Sequence, residues 1–254
     1  MSWADFYSEI IEEIDRLSKD KTNGCYSPFF RGLSKKSHNL LPALFRERDI
    51  SRDLQYLKNQ EMTVYYDFVS NSSNSHSNCV KDSWEVLYEM QHREIPTRLL
   101  DWTGSFAVAL YFALRNYDDT KTPCVWILNP KMLNIKSVKK PRIISIEEGQ
   151  VLDYKKMFVT REFEKKAFEN PIAILPVKSH PRITAQNSFF TVHGSNLNPL
   201  DKIYSNDVIK RFDIPKEVIP DALKFLKMAN MNEFTLFPDL DGLGRRIKKI
   251  YFSD

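Results

Sequence analysis

Three features of the 254-residue sequence predict an α+β fold. Helix-period stripes dominate the first half. Short β-rich runs bounded by prolines are concentrated in the second half. No strand–helix–strand alternation of the kind that builds a doubly wound parallel sheet recurs. With 42% apolar, 13% aromatic and 28% charged residues, the chain can bury a sizeable core and is too apolar to stay disordered. With no repeat and no linker of distinct composition, one domain is predicted at 21–254, ending in a helical extension, with 1–20 as an appended N-terminal helix.

The first segment carries Trp3, Phe6, Tyr7, Ile10, Ile11, Ile14 and Leu17 at helical spacing, with Ser2 and Asp5 placed to cap its start. Gly24 marks a break, and YSPFFRGLS (26–34) then reads as a short strand turning about Gly32. A second helix is predicted from about Asp53 to Val69. Its stripe is Leu54, Leu57, Val64, Tyr65 and Phe68, and Glu61 falls on it, one turn from both Leu57 and Tyr65. SNSSNSHSNC (70–79) reads as a polar loop. In a third helix Trp84, Leu87, Tyr88 and Gln91 share a face, and Pro96 forces its end. QHREIPTRLLDWTGS (91–105) is predicted as a loop leading into a buried helix, SFAVALYFALRN (105–116), apolar on most sides. PCVWILNP, PIAILPV, SFFTVHG and DVIKRFDIP read as strands, and PKEVIPDALKFLKMAN and GLGRRIKKI as closing helices.

Composition excludes several function classes. The net charge is +4, from 37 Lys and Arg against 33 Asp and Glu, which is not the pattern of a nucleic-acid binder. Seven glycines are less than half the average usage of about 7%. Neither G-x-x-x-x-G-K-[ST] nor G-x-G-x-x-G occurs, so P-loop and Rossmann sites are excluded. Cys25, Cys79 and Cys124 are too widely spaced for a zinc knuckle or a disulfide framework, and the histidines lack i,i+4 ligand spacing, so no metal is expected. There is neither a secretory leader pattern nor an apolar run of about 18 residues. A cytoplasmic protein without membrane contact is the expectation.

Chemistry concentrates in 91–105, where Gln91, His92, Arg98, Asp101, Trp102 and Thr103 crowd together. Thr103 or Ser105 begins the buried helix, either as a simple cap or with its hydroxyl and the backbone N–H groups aimed at an anion. Arg98 and Asp101 serve either a ligand or an internal ion pair. Arg31, in an otherwise aromatic strand, points outward or reaches a phosphate or carboxylate, and Gly32 beside it permits close approach to the backbone. Glu61 on its apolar stripe needs a cation (Arg31, Arg46 or Arg98) or a raised pKa. His92 is the best-placed acid–base candidate, or a hydrogen-bonded structural residue. The amide of Gln186 reads a ligand or ties a loop. No Ser-His-Asp order or G-x-S-x-G supports a hydrolase.

YSPFFRGLS, LLPALFR, QHREIPTRLLDWTGSFAVALYFAL, RITAQNSFFTVHG and FPDLDGLGRR resemble the FRG-domain family from about residue 25 to 246. The family is named for an aromatic-Arg-Gly triplet, here Phe30-Arg31-Gly32. One departure is Glu94, where the family usually has glycine. Arg31-Gly32 on an early strand, and Asp101-Trp102-Thr103 running into the buried helix, are also similar, more distantly, to the first two motifs of arginine–serine–glutamate ADP-ribosyltransferases. This second resemblance implies an ADP-ribosyltransferase-like fold of mixed sheets with helices packed around a central cleft, and NAD as substrate. The implied reaction cleaves the nicotinamide–ribose bond and transfers ADP-ribose to a protein or nucleic-acid acceptor, as a toxin or phage-defence effector would. It further implies Arg31 on the pyrophosphate, Gly32 at the nicotinamide amide, and Arg98, Asp101 and Thr103 in the NAD site, with Thr103 bracing the ribose. Glu61 or Gln186 would orient the ribose, and His92 would hydrogen-bond the ligand or shuttle a proton. The third motif's glutamate falls on Gln186, an amide that keeps the hydrogen bond without the charge. The carboxylate must then come from Glu61 or Asp101. The alternative is a non-catalytic sensor module that binds a nucleotide or protein in the same cleft.

Overall fold

A computed structural model describes residues 1–18, 28–46, 54–72, 83–146, 153–161, 168–177 and 180–252; Gly24, Cys25, His76 and Cys79 lie outside the described residues. Helix α1 (Trp3–Ser18) forms on the expected stripe. Its start is closed reciprocally: the Asp5 N–H donates to Ser2 Oγ at 3.2 Å and the Ser2 N–H to Asp5 Oδ2 at 2.8 Å. Helix α2 (Leu54–Ser72) buries Leu57, Glu61 and Tyr65 on one stripe. It runs further than expected: Ser70, Asn71 and Ser72, assigned to the polar loop, extend it, and Asn71 Nδ2 donates to the Asp67 carbonyl one turn back. Helix α3 (Ser83–His92) ends before Pro96, and α4 (Phe106–Leu114) is capped by Ser105, whose Oγ accepts the Val108 N–H at 3.4 Å. No helix among the described residues is long and apolar enough to cross a membrane.

The strands are β1 (Phe29–Leu33), β2 (Leu99–Thr103), β3 (Cys124–Leu128), β4 (Ile144–Ser145), β5 (Ile172–Leu175), β6 (Ser188–Val192) and β7 (Ile209–Asp213). They form one seven-stranded sheet in the order β4-β5-β6-β2-β1-β3-β7, antiparallel except for β4–β5. The α+β class is as expected. The mixed sheets around a cleft implied by the ADP-ribosyltransferase resemblance are here a single mixed sheet. Its centre includes β2, which had been assigned to a loop. In LLDWT, Leu100 and Trp102 are buried while Asp101 between them is exposed, a strand alternation too short to stand out beside Pro96.

One sheet face is continuous. Phe29, Leu100, Trp102, Trp126, Leu128 and Ile209 share one cluster there, covered by Leu133 of α5 (Pro130–Val138) and Leu200 of α7 (Leu200–Ile203). The other face is divided. Over β1, β3 and β7, Phe30, Val125, Ile127 and Phe212 pack against α1, α4 and α8 (Ile219–Met228). The helix set apart as 1–20 shares this core, with Phe6 and Ile10 buried in it. Over β2, β6 and β5, Leu99, Phe190, Val192, Ile172 and Ile174 pack against α2 and α3. The division falls between β1 and β2, which are joined in register only at Phe30↔Thr103.

Gly32 is what lets β1 and α4 meet. A Cβ there would lie 1.7 Å from the Ala109 carbonyl oxygen and 2.7 Å from the Ala113 nitrogen. Strand–helix packing alone therefore requires the glycine.

Glu61 and Arg98 form a buried ion pair, each side chain 3% exposed. Arg98 Nε donates to Glu61 Oε1 at 2.6 Å and Nη2 to Oε2, while Nη1 serves the carbonyls of His193 (2.6 Å) and Gly194 (3.1 Å). The Tyr154 hydroxyl donates to Glu61 Oε1 at 2.5 Å, and Phe158 stacks 3.8 Å from the guanidinium. Of the cations considered for Glu61, the partner is Arg98, so Arg98 is not paired with Asp101. The pair is complete in itself, as a buried charge must be.

Gly32→Ala is expected to lower the unfolding free energy by about 2 kcal/mol or more in urea denaturation, because backbone rather than a flexible side-chain tip must move. His193 gives a second expectation. Burial, followed by the Arg98 charge, pushes its pKa down from 6.5 to about 3. The unfolded chain therefore binds the extra proton between those values. Stability should be fully present above about pH 6.5 and fall below it, at up to about 1.4 kcal/mol per pH unit from this group. His193→Phe should flatten that difference curve, and an unchanged slope would refute the assignment.

Candidate functional site

A cleft of about 630 Å³ opens where the helix-covered face divides. Phe30, Val108, Ala109 and Phe112 line one wall, and Tyr88, Ile183 and Phe190 the other. Continued by two residues, the β1–β2 register would set Gly32 opposite Asp101. Instead the strands part, and Arg31 Nη1 donates to the Asp101 backbone carbonyl at 2.6 Å and lies 3.6 Å from its Oδ2. Arg31 pairs with Trp126 on the continuous face, whereas Asp101 lies opposite Phe190 on the divided one, so the guanidinium makes this contact through the gap.

Asp101 is half exposed in the cleft. Gln91 Nε2 donates to both of its carboxylate oxygens at 3.0 Å, and Gln91 Oε1 accepts from the Thr97 hydroxyl at 2.5 Å, which fixes the amide orientation. Burial pulls the Arg31 guanidinium below its ordinary pKa even though Asp101 opposes the shift, with Arg46 adding to it. Arg31 Nε is buried without a hydrogen-bond partner among the described residues. A further anion at this point would satisfy both conditions.

Thr103 lines the cleft, but its hydroxyl is committed: it donates to the Gln186 carbonyl at 2.7 Å and accepts the Ser105 N–H at 3.0 Å. It joins the β2–α4 turn to the chain entering β6, so the ribose-bracing role meets a hydroxyl without a spare proton. Gln186 is also in the cleft, closing the short helix α6 (Pro181–Ala185) two residues before β6, and its Nε2 donates to the Leu236 carbonyl at 3.0 Å. Glu61 and Arg98 do not line the cleft, so the roles implied for them at the ribose and in NAD binding find no place there. His92 Nδ1 lies 3.0 Å from Arg182 Nη1 and therefore accepts, since a guanidinium can only donate. Its proton is on Nε2, which makes the neutral ring a hydrogen-bond donor and leaves it no lone pair for taking a proton. Burial, then the charges of His180 and Arg182, hold its pKa below the ordinary 6.5.

The structure thus gathers Arg31, Gly32, His92, Asp101, Thr103 and Gln186 in one cleft. Sequence reasoning missed His180 and Arg182, which also line it. The available signal was His180-Pro181, a cap followed by proline at the first helical position. No cluster of three or more His, Cys, Asp or Glu able to hold a metal ion occurs among the described residues.

The family model of the FRG domain matches residues 27–122. The chain carries an FRG domain. The matched region contains β1, α2, α3, β2 and α4, and with them Arg31, Gln91, His92, Asp101 and Thr103. Of the cleft residues, His180, Arg182, Ile183, Gln186 and Phe190 lie outside it. No curated protein and no solved structure matches the chain.

Glu94, the departure from the family's usual glycine, has φ 61° in the turn between α3 and β2. Only glycine adopts this left-handed conformation without strain. Glu94→Gly is expected to exceed Glu94→Ala in stability by about 1 kcal/mol in thermal unfolding, and the reverse order would exclude this backbone geometry.

Proposed function

We propose that the FRG-domain cleft binds NAD or a closely related nucleotide and cleaves its nicotinamide–ribose bond, passing ADP-ribose to a macromolecular acceptor. The observation that carries this reading is the Arg31–Asp101 contact across the parted strands: an anion-seeking guanidinium with a buried, unpartnered Nε beside an exposed, oriented carboxylate. Arg31 would hold the pyrophosphate. The apolar and aromatic walls suit base and nicotinamide rings. Asp101 would take the ribose-side role, hydrogen-bonding a ribose hydroxyl and stabilising positive charge as the bond opens. In that step the bonding pair leaves with the nicotinamide nitrogen, which becomes neutral, and a lone pair of the acceptor adds at the same ribose carbon. The acceptor's proton passes to Asp101 or to water. Of the two carboxylates considered for this role, Asp101 is in the cleft and Glu61 is not.

One observation favours a second reading, a non-catalytic sensor. The Asp101 carboxylate already receives Gln91 and faces Arg31, and Gln186, at the late-glutamate position, has its amide on Leu236.

Nicotinamide release from NAD separates the two. The enzyme reading expects release by the wild-type protein, and a loss of about 100-fold or more in Asp101→Asn with unchanged unfolding behaviour. Arg31→Ala should weaken NAD binding while the protein stays folded. NAD binding without release in the presence of candidate acceptors would establish the sensor, and absence of both would overturn the nucleotide reading.

A further inference from the structure

Arg182 stands on α6, on the β6 side of β2, whereas Arg31 stands on β1 at its other side. Its guanidinium stacks 4.3 Å from the Phe237 ring, yet no carboxylate among the described residues lies within ion-pair distance of it. It donates Nη1 to His92 Nδ1 at 3.0 Å, and its backbone N–H donates to His180 Nδ1 at 3.1 Å. Both imidazoles therefore carry their proton on Nε2. The rings lie 4.3 Å apart, both line the cleft, and neither Nε2 has a partner among the described residues. One arginine thus sets the tautomers of two histidines, and together the three present donors and no acceptor.

We infer that Arg182, His92 and His180 form a second anion subsite in the cleft, on the β6 side and separate from Arg31, which takes a phosphomonoester dianion. A donor-only surface with a single fixed positive charge suits the terminal oxygens of such a group, which accept several hydrogen bonds at once. Glu85 and Glu89 on α3, with Glu94 and Asp101, also line the cleft, and Asp239 acts on Arg182; their charges oppose an anion, so the hydrogen bonds from the three donors must outweigh that repulsion. The subsite rests on the nucleotide reading of the cleft only for what carries the phosphate. A nucleotide with a ribose monophosphate and free inorganic phosphate share the chemistry.

The test uses the full chain with inorganic phosphate as probe, then NAD and NADP. Imidazole nitrogen resonances of His92 and His180 are followed by NMR, and affinities by calorimetry. Phosphate should shift both Nε2 resonances saturably. Arg182→Gln should weaken phosphate binding about tenfold or more, the scale of one lost charged hydrogen bond. Lys224→Gln, which removes the same charge from the exposed surface of α8, should not. NADP binding more tightly than NAD, with the preference lost in Arg182→Gln, identifies the ribose phosphate as the source. Equal affinities, with the phosphate shifts intact, identify free phosphate instead. Imidazole resonances in the wild-type protein that do not respond to phosphate overturn the subsite, whatever the fate of the variant. Phosphate shifts without any NAD affinity leave the subsite standing and refute only the nucleotide reading.

Discussion

A guanidinium buried as deeply as that of Arg98 is costly unless its donors are met, and the fold is arranged to meet them. Each partner comes from a different part of the chain: Glu61 from α2, Tyr154 as the hydroxyl that shares Glu61, and the carbonyls of His193 and Gly194 from the end of β6. Leaving any one unmade would strand charge in a low-dielectric interior. Arg98 immediately precedes β2, so the requirement pins the start of that strand against β6 and α2. Asp101, three residues on, inherits its position from this anchor.

On the other side of β2 the constraint is steric. Gly32 allows α4 to press directly on β1. The strands meet at one residue pair and diverge. Divergence leaves the Asp101 carbonyl without a ladder donor, and Arg31 supplies one. A polar cleft in the middle of a sheet is thus a by-product of two packing demands, one electrostatic at Arg98 and one steric at Gly32. Polar groups stand there without weakening either core.

Much of this was legible in the sequence where periodicity is long. The α2 stripe exposed Glu61 as misplaced, and the structure resolves it as a buried pair with one of the three arginines proposed. The 91–105 cluster pointed to the cleft through Gln91, His92, Asp101 and Thr103. What stayed hidden is short or depends on distant partners. β2 has five residues with a proline close before it, and α6 has five, too few to show a period. Arg182 is unremarkable in sequence because its significance lies in His92, ninety positions earlier. For Arg98 the sequence left two partners open, nearby Asp101 and distant Glu61, and tertiary packing chose Glu61. The scarce glycines argued against glycine-rich phosphate loops and said nothing about side-chain sites.

The Phe30-Arg31-Gly32 triplet carries three demands in three directions: an aromatic ring into the α4 core, a guanidinium through the sheet, and a bare backbone against a helix. Because Gly32 has no side chain, no soft layer separates β1 from α4. Backbone touches backbone, and such contacts do not compress. A shift of the β1 backbone at Gly32 would have to be shared by α4. The triplet therefore forms a stiff seam between the sheet and the helix behind it, on which the α1–α8 layer rests.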